Sequence, residues 1–396
     1  MKKMLLLGAM QMHIPIIQRA KERGIYVITC DYIPSNLGHK YADEAHYDST
    51  TDFDAVLKLA KDCQVDGIMT FNSDPAALTA AYVAEQLGLP GSGYKAVQVM
   101  SEKDRFRTFL SENGFNVPKF GQYTTFEALS KDLDKFHFPI MLKPVDSSGS
   151  KGVVRIDSAD HLDRYFNNAL NYSRCKRIIV EEFIAAKGAQ MHGDGFVRDG
   201  KLEFIYLGDH HFDSQINNLV PISTTFPSCH DNETIRRVEA EVQRFISKVG
   251  FKQGGINIEA RLSTDNQIYL IEVGPRNGGN FTPIVIQYAS GFNFMDACLE
   301  STLALPFTQQ HPKKDGYYAY IILHSKEDGV LSEVVVSEEL KSKILKRFDY
   351  LSIGDKVNSF RGANSAVGVL LVHFSSMEEM LRIVNDLDNY CRIILM

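Results

Sequence analysis

The amino-terminal stretch alternates short apolar strands with amphipathic helices, and that rhythm leaves few folds open. Met4–Leu7 reads as a strand that ends at Gly8. A helix carrying Ile14, Ile16, Ile17 and Ala20 follows, and Gly24 stops it. Tyr26–Cys30 is a second strand ending at Asp31. Helix Asp54–Lys61 leads to strand Gly67–Thr70, and helix Pro75–Leu87 is closed by Gly88. Strand and helix in strict alternation predict a parallel sheet with helices on both faces. Gly8 stands alone in GAMQM, without the second and third glycines of a dinucleotide fingerprint, so nicotinamide binding is not called for.

The chain is 396 residues long, enough for two or three domains. The loop LPGSG before Tyr94 and the segment QQHPKKDG after Pro306 are natural boundaries. We expect an α/β domain over 1–93, a central two-lobed domain over 94–308 with a mobile lobe near 117–197, and a small α+β unit over 309–396. The central part predicts a helix over Tyr94–Asn113 and strands at Pro139–Lys143, Val153–Ile156 and Ile178–Phe183, with a helix at Ala159–Leu170. Further strands are expected at Leu202–Gly208, Gly255–Arg261 and Gln267–Val273, with helices Glu233–Val249 and Phe294–Ala304. The last part reads as strands Tyr317–His324 and Val367–His373 and a helix Ser376–Leu387.

Composition removes other classes. With 44% apolar and 23% charged residues the chain is an ordinary globular one. A net charge of −6 gives no footprint for nucleic acid. The six cysteines include no C-x-x-C, so neither a zinc ribbon, a redox dithiol nor a disulfide framework is expected. MKKMLLLGAM is read as a first strand rather than a leader, because its apolar run is short. No stretch reaches the ~18 apolar residues of a membrane span. The expectation is a reduced, cytoplasmic protein that acts on small molecules without membrane or nucleic acid, with a homodimer as the default assembly.

Three passages carry chemistry. In PIMLKPVDSSGSKGVVRI a strand delivers Lys143, and a loop of Ser147, Ser148, Gly149, Ser150 and Gly152 follows before the next strand. Backbone N–H groups of such a loop cradle phosphate, although an ordinary glycine hairpin with a surface lysine has the same pattern. In INIEARLSTDNQIYLIEVGPRNGGN two alternating runs flank Asp265-Asn266, which suits a two-residue hairpin turn. That turn sets Glu259 directly opposite Glu272. Facing like charges destabilise a sheet unless a cation lies between them, and an oxygen-only donor set suits Mg²⁺ with substrate phosphates. The bland alternative is an edge hairpin with both glutamates solvated. Arg276, four residues after Glu272, is placed to stabilise charge on a transferring group. In RIIVEEFI a strand edge offers backbone groups to an adenine, with Glu181 accepting from the exocyclic amine; a half-exposed strand is the alternative.

The ordered set SEKDRFR, FPIMLKPVDSSGSKGV, VEEFI, INIEAR and IEVGPRNGG resembles the ATP-grasp superfamily of carboxylate–amine and carboxylate–thiol ligases. The likeness is greatest to the branch of biotin carboxylase, the carbamoyl-phosphate synthetase large chain and the L-amino-acid ligases, and the leading α/β block is similar in layout to that branch's pre-ATP-grasp domain. The resemblance implies ATP and Mg²⁺, with Mn²⁺ as a substitute. It implies that Lys103 and Lys143 reach the phosphates, that the Ser147–Gly152 loop covers them, and that Glu181, Glu182, Phe183 and Ile184 hold the adenine, Glu182 and Ile184 through backbone. Glu259 and Glu272 would bind metal, and Arg276 and Lys143 would be catalytic. It further implies an ADP-forming ligase that activates a carboxylate as an acyl phosphate for attack by an amine. A bicarbonate-activating carboxylase and a non-catalytic ATP-binding protein are the alternatives. Two positions depart from the family pattern: Gln190 stands where a ribose-binding Glu is usual, and Gly274 replaces an Asn that would ligate metal.

Other features have simpler readings. His210 and His211 are neighbours on a strand and point to opposite faces, which argues against one shared metal; a place beside the acceptor is the alternative. Ser73-Asp74-Pro75 reads first as a helix N-cap and second as a ligand position at a strand's carboxyl end. Phe109, Phe115, Phe120 and Phe126 read as core.

Overall fold

The computed structural model describes residues 1–213, 215–216, 218–309 and 316–396. Strands β1 (Lys3–Leu7), β2 (Tyr26–Cys30), β3 (Glu44–His46) and β4 (Gly67–Met69) form a sheet of order β3-β2-β1-β4. All three of its pairings are parallel. Period-two alternation splits β1 between two cores. Met4 and Leu6 pack with Ile16, Ile17 and Ala20 of α1 (Ile14–Glu22). Leu5 and Leu7 pack with Val56 and Leu59 of α2 (Phe53–Cys63) and Ala76 and Ala80 of α3 (Asp74–Leu87). Helices on both faces are what the opening rhythm predicts.

The single helix expected over Tyr94–Asn113 is two, α4 (Tyr94–Ser101) and α5 (Lys103–Glu112). The chain leaves helical geometry at Glu102 (φ −103°, ψ 115°). Two contacts fix the break. The Lys103 N–H donates to the Val145 carbonyl at 3.0 Å, outside the helix. The Glu102 carboxylate accepts from Arg177 Nη2 at 2.7 Å. Neither partner is near in sequence, so helical propensity alone could not show the break. Its result is that Lys103 opens α5 instead of lying in mid-helix.

Next, β5 (Phe120–Tyr123), β6 (Ile140–Pro144), β7 (Val154–Ile156) and β8 (Ile178–Glu182) form an antiparallel sheet of order β5-β8-β6-β7. Leu129, Leu162, Phe166 and Ala169 from two helices cover one of its faces.

The largest sheet has eight strands in the order β13-β12-β9-β10-β11-β14-β18-β16. Its members are β9 (Met191–Arg198), β10 (Lys201–His211), β11 (Ser223–Phe226), β12 (Gly254–Leu262), β13 (Ile268–Gly274), β14 (Tyr317–Leu323), β16 (Ile344–Asp349) and β18 (Gly368–Phe374). Strands β15 (Gly329–Val336), β17 (Lys356–Val357) and β19 (Cys391–Leu395) form a small separate sheet. Val238, Val242, Phe245 and Ile246 of helix Asn232–Val249 cover Ile256 and Ile258 of β12. The carboxyl-terminal strands β14, β18 and β16 continue the same sheet as the central ones. The expected linker QQHPKKDG falls largely on residues 310–315, which lie outside the described residues.

Several elements escaped the sequence reading, among them β3, β5, β11, β15, β16 and β19, and two others show why. Strand β9 is buried on both faces except at Arg198, so MHGDGFV shows no alternation. Helix Thr282–Ser290 is buried nearly all round, so TPIVIQYAS has no polar stripe. No described helix is long and apolar enough to cross a membrane.

Candidate active site

A cleft of about 430 Å³ lies where the three main sheets meet. Its walls gather Lys103, Lys143, Ser147, Ser148, Gly149, Ser150, Glu181, Gln190, Glu259, Glu272 and Arg276. Gly152, Glu182, Phe183 and Ile184 do not line it.

Glu259 on β12 stands opposite Glu272 on β13, as the sequence predicts, but by another route. The turn is not the two-residue Asp265-Asn266. Ser263 N–H donates to Gln267 O at 2.9 Å, which leaves Thr264, Asp265 and Asn266 in the loop, with Asn266 at φ 62°. That longer loop would shift the pairing by one residue. A bulge between Glu259 and Ala260 and their partners restores it, because Ile271 is skipped. Arg107 steadies the bulge by donating from Nη1 to the Leu270 carbonyl at 2.9 Å.

The site has an excess of negative charge around Glu272. Its pKa is raised, first by partial burial and then by Glu259 and Asp74, against the pull of Lys103 and Arg276. Those cations stand at 3.7 Å (Lys103 Nζ) and 3.9 Å (Arg276 Nη2), too far for a close pair. Facing carboxylates with only distant cations fit a hard divalent ion held by oxygen.

Glu181 lines the cleft and is already paired within the protein. Its Oε1 accepts from Arg107 Nε at 2.6 Å and its Oε2 from Lys143 Nζ at 2.6 Å, with Arg107 and Glu181 almost wholly buried. Burial alone would raise the carboxyl pKa, but the two cations outweigh it and hold it at about 2. Burial, aided by Arg107, lowers the Lys143 pKa despite Glu181. Strand β8 is not an edge: β5 and β6 flank it. Glu182 N–H donates to Lys119 O and Phe183 N–H to Pro139 O, both at 2.9 Å, and Ile184 O accepts from Arg261 Nη1 at 3.0 Å. Arg107 is the residue the sequence reading missed. A signal existed, since SEKDRFR sets it four residues after Lys103, on the same helix face.

The Ser147–Gly152 loop folds over the cleft. Gly149 (φ 65°), Ser150 (φ 58°) and Gly152 (φ 74°) take left-handed conformations, which turn the loop sharply. Lys103 Nζ donates to Ser147 O at 2.8 Å, and Ser150 Oγ to Leu219 O at 2.7 Å across the cleft. Gln190 Nε2 donates to Glu259 Oε2 and its Oε1 accepts from Arg261 Nε, each at 2.8 Å. A glutamate there would confront Glu259 with a like charge, which accounts for the amide.

Asp74 departs from the expected helix cap. Ser73, not Asp74, is the N-cap residue, and it makes no side-chain cap bond. Asp74 instead grips Arg276 with both oxygens, at 2.6 and 2.8 Å. Burial opposes the Arg276 charge, but Asp74 outweighs it and the guanidinium pKa rises. A β-carbon on Gly274 would lie 3.5 Å from Asp74 Oδ1, so Asp74 borders the space an asparagine side chain would fill. Behind the cleft, the buried Asp194 accepts from Gly278 N–H and Asn257 Nδ2 and fixes the turn that carries Arg276. His210 and His192 stack at 4.1 Å, while His211 points away to Thr225, so the two neighbouring histidines serve opposite faces.

Residues 136–284 match the family model for the ATP-grasp domain. An L-amino acid ligase from Bacillus licheniformis superposes with a TM-score of 0.86 at 24% identity, over 100% of this chain and 99% of that one. An alanine–anticapsin ligase of Bacillus amyloliquefaciens is 24% identical over 82% of this chain and 74% of its own. An uncharacterised protein of Sinorhizobium fredii is 27% identical over 61% of this chain, which spans only 50% of that relative. Residues 136–284 are thus similar to the ATP-grasp domain, and the chain as a whole shares the fold of the L-amino acid ligase structure.

Proposed function

We propose that this protein is an ADP-forming ligase that joins a carboxylate to an amine, with an amino acid among its substrates. The observation that supports it most is a single cleft holding two facing glutamates, two lysines and a serine–glycine loop. Lys103, Lys143 and the loop would bind the ATP phosphates, and Glu259 and Glu272 would hold Mg²⁺, which supplies charge neutralisation at the phosphates. Arg276, aligned by Asp74, would orient the acceptor carboxylate and steady the negative oxygens of the transferring phosphoryl group. A carboxylate oxygen attacks the γ-phosphorus, the bond to ADP breaks, and an acyl phosphate forms. An amine nitrogen then attacks the acyl carbon, phosphate leaves, and the amine loses a proton. The chain's contribution is positioning and electrostatics. The lobe near 117–197 would close over the nucleotide and exclude water.

The test is ADP release across a panel of carboxylic and amino acids, with hydroxylamine added to trap an acyl phosphate. Release that depends on an amino acid, with a hydroxamate formed, is expected. Release that depends only on bicarbonate moves the reading to a carboxylase. Tight ATP binding without turnover by any substrate moves it to a nucleotide-binding protein.

A further inference from the structure

The amino-terminal sheet ends in a short edge strand, β3, and three metal-ligating side chains that do not line the cleft meet there. Glu44 and His46 are two apart on β3, so they share one face. Cys63, the last residue of α2, comes up beside them. His46 Nε2 lies 2.7 Å from Glu44 Oε1, and Cys63 Sγ lies 3.8 Å from the same oxygen. The three ligand atoms all fall within 4.8 Å of one another. In a tetrahedral zinc site, bonds of about 2.0–2.3 Å put ligand atoms roughly 3.3–3.6 Å apart. The observed spacings bracket that value, so small side-chain rotations would suffice. Tyr26 Oη stands 3.3 Å from the other Glu44 oxygen, where an outer partner orients a ligating carboxylate. Lys3 Nζ is engaged at 3.0 Å by the Cys63 carbonyl. The cysteine is free and only partly covered, which leaves room for a water as fourth ligand.

We propose that Glu44, His46 and Cys63 form a transition-metal site for Zn²⁺ or a similar borderline-soft divalent ion. One thiolate, one imidazole and one carboxylate select zinc or cobalt over Mg²⁺, which takes oxygen alone. The ion would clamp the open sheet edge to the end of α2. No C-x-x-C announces the site, because its ligands come from two elements.

The test is titration of the full-length, reduced protein with Co²⁺ in saturating Mg²⁺, which occupies oxygen-only sites such as Glu259 and Glu272. An ultraviolet thiolate-to-cobalt charge-transfer band at one equivalent, displaced by Zn²⁺, is expected. Cys63→Ser should abolish the band, and His46→Ala should weaken Co²⁺ binding by at least about tenfold, the scale set by losing even an outer partner. Circular dichroism of metal-free variants separates ligand loss from misfolding. No band in the parent protein, or a band that survives Cys63→Ser, overturns the proposal. Neither result bears on the ligase reading, which is tested by ADP release.

Discussion

Glu181 and Glu272 border the same cleft and meet opposite electrostatic fates. Glu181 is sealed between Arg107 and Lys143, and its pKa falls to about 2. Glu272 faces Glu259, keeps its cations at 3.7 Å or more, and has a raised pKa. One negative charge is balanced inside the protein, and the other is left for a ligand to balance. A carboxylate with its counter-charges built in serves the architecture, whereas one short of counter-charge is where a cation from solution binds. The same side chain thus reads as structure in one place and as a candidate metal ligand in the other.

The sharpest way to break this contrast is to truncate each glutamate. Glu181→Ala strands two buried cations and should destabilise the protein by about 3–5 kcal/mol in urea unfolding. A loss under about 1 kcal/mol would mean that the triad does not hold this wall. Glu272→Gln should do the reverse. Without metal the fold should keep or slightly raise its thermal midpoint, since a repulsion is relieved. Turnover should drop on the order of 10²–10³-fold, the usual cost of one electrostatic stabiliser. A variant that unfolds while its activity per folded molecule is unchanged would erase the distinction.

A third buried group extends the comparison to a site with no neutralising partner. His13 is fully enclosed, and burial lowers its pKa to about 4, with Asp31 pulling weakly the other way. The unfolded chain therefore binds an extra proton between pH 6.5 and 4, so this contribution is complete above pH 6.5 and fades as pH falls to about 4. The loss should be on the order of 3 kcal/mol. Asp194, whose pKa burial pushes up to about 6, works in the opposite sense over pH 4–6. The His13 share is therefore read as the difference between the parent and His13→Asn, whose stability should decline less with acid. Parallel pH curves would contradict it. The smallest effect is expected from Gln190→Glu, which sets a third carboxylate against Glu259. It should cost about 1 kcal/mol without divalent ions and recover in Mg²⁺; a loss that Mg²⁺ leaves untouched would count against a metal at Glu259.

How much of this was readable beforehand follows the range of the forces. Three strands of the amino-terminal parallel sheet were legible because they and their helices carry their own periodicity, while the three-residue edge strand β3 is too short to show one. The facing of Glu259 and Glu272 was legible too, although by compensation: the turn was one residue longer than expected, and the bulge at Ile271 took that residue back. The Lys143 and Ser147–Ser150 loop could be found from local glycine and lysine spacing. What could not be read depends on distant partners. The break at Glu102 needs Val145 and Arg177, the neutralisation of Glu181 needs Arg107, and the role of Asp74 needs Arg276. Asp74 and Arg276 are 202 positions apart, and no local pattern links them.

The central claim is that the charge at Glu272 is completed from outside. A crystal structure with Mg²⁺ and a non-hydrolysable ATP analogue tests it most directly. The account predicts a metal ion within about 2.5 Å of a carboxylate oxygen of Glu259 or Glu272, with Glu181 still held by Arg107 and Lys143. A bound nucleotide whose metal touches neither glutamate, or a Glu181 released to ligate it, would contradict the account.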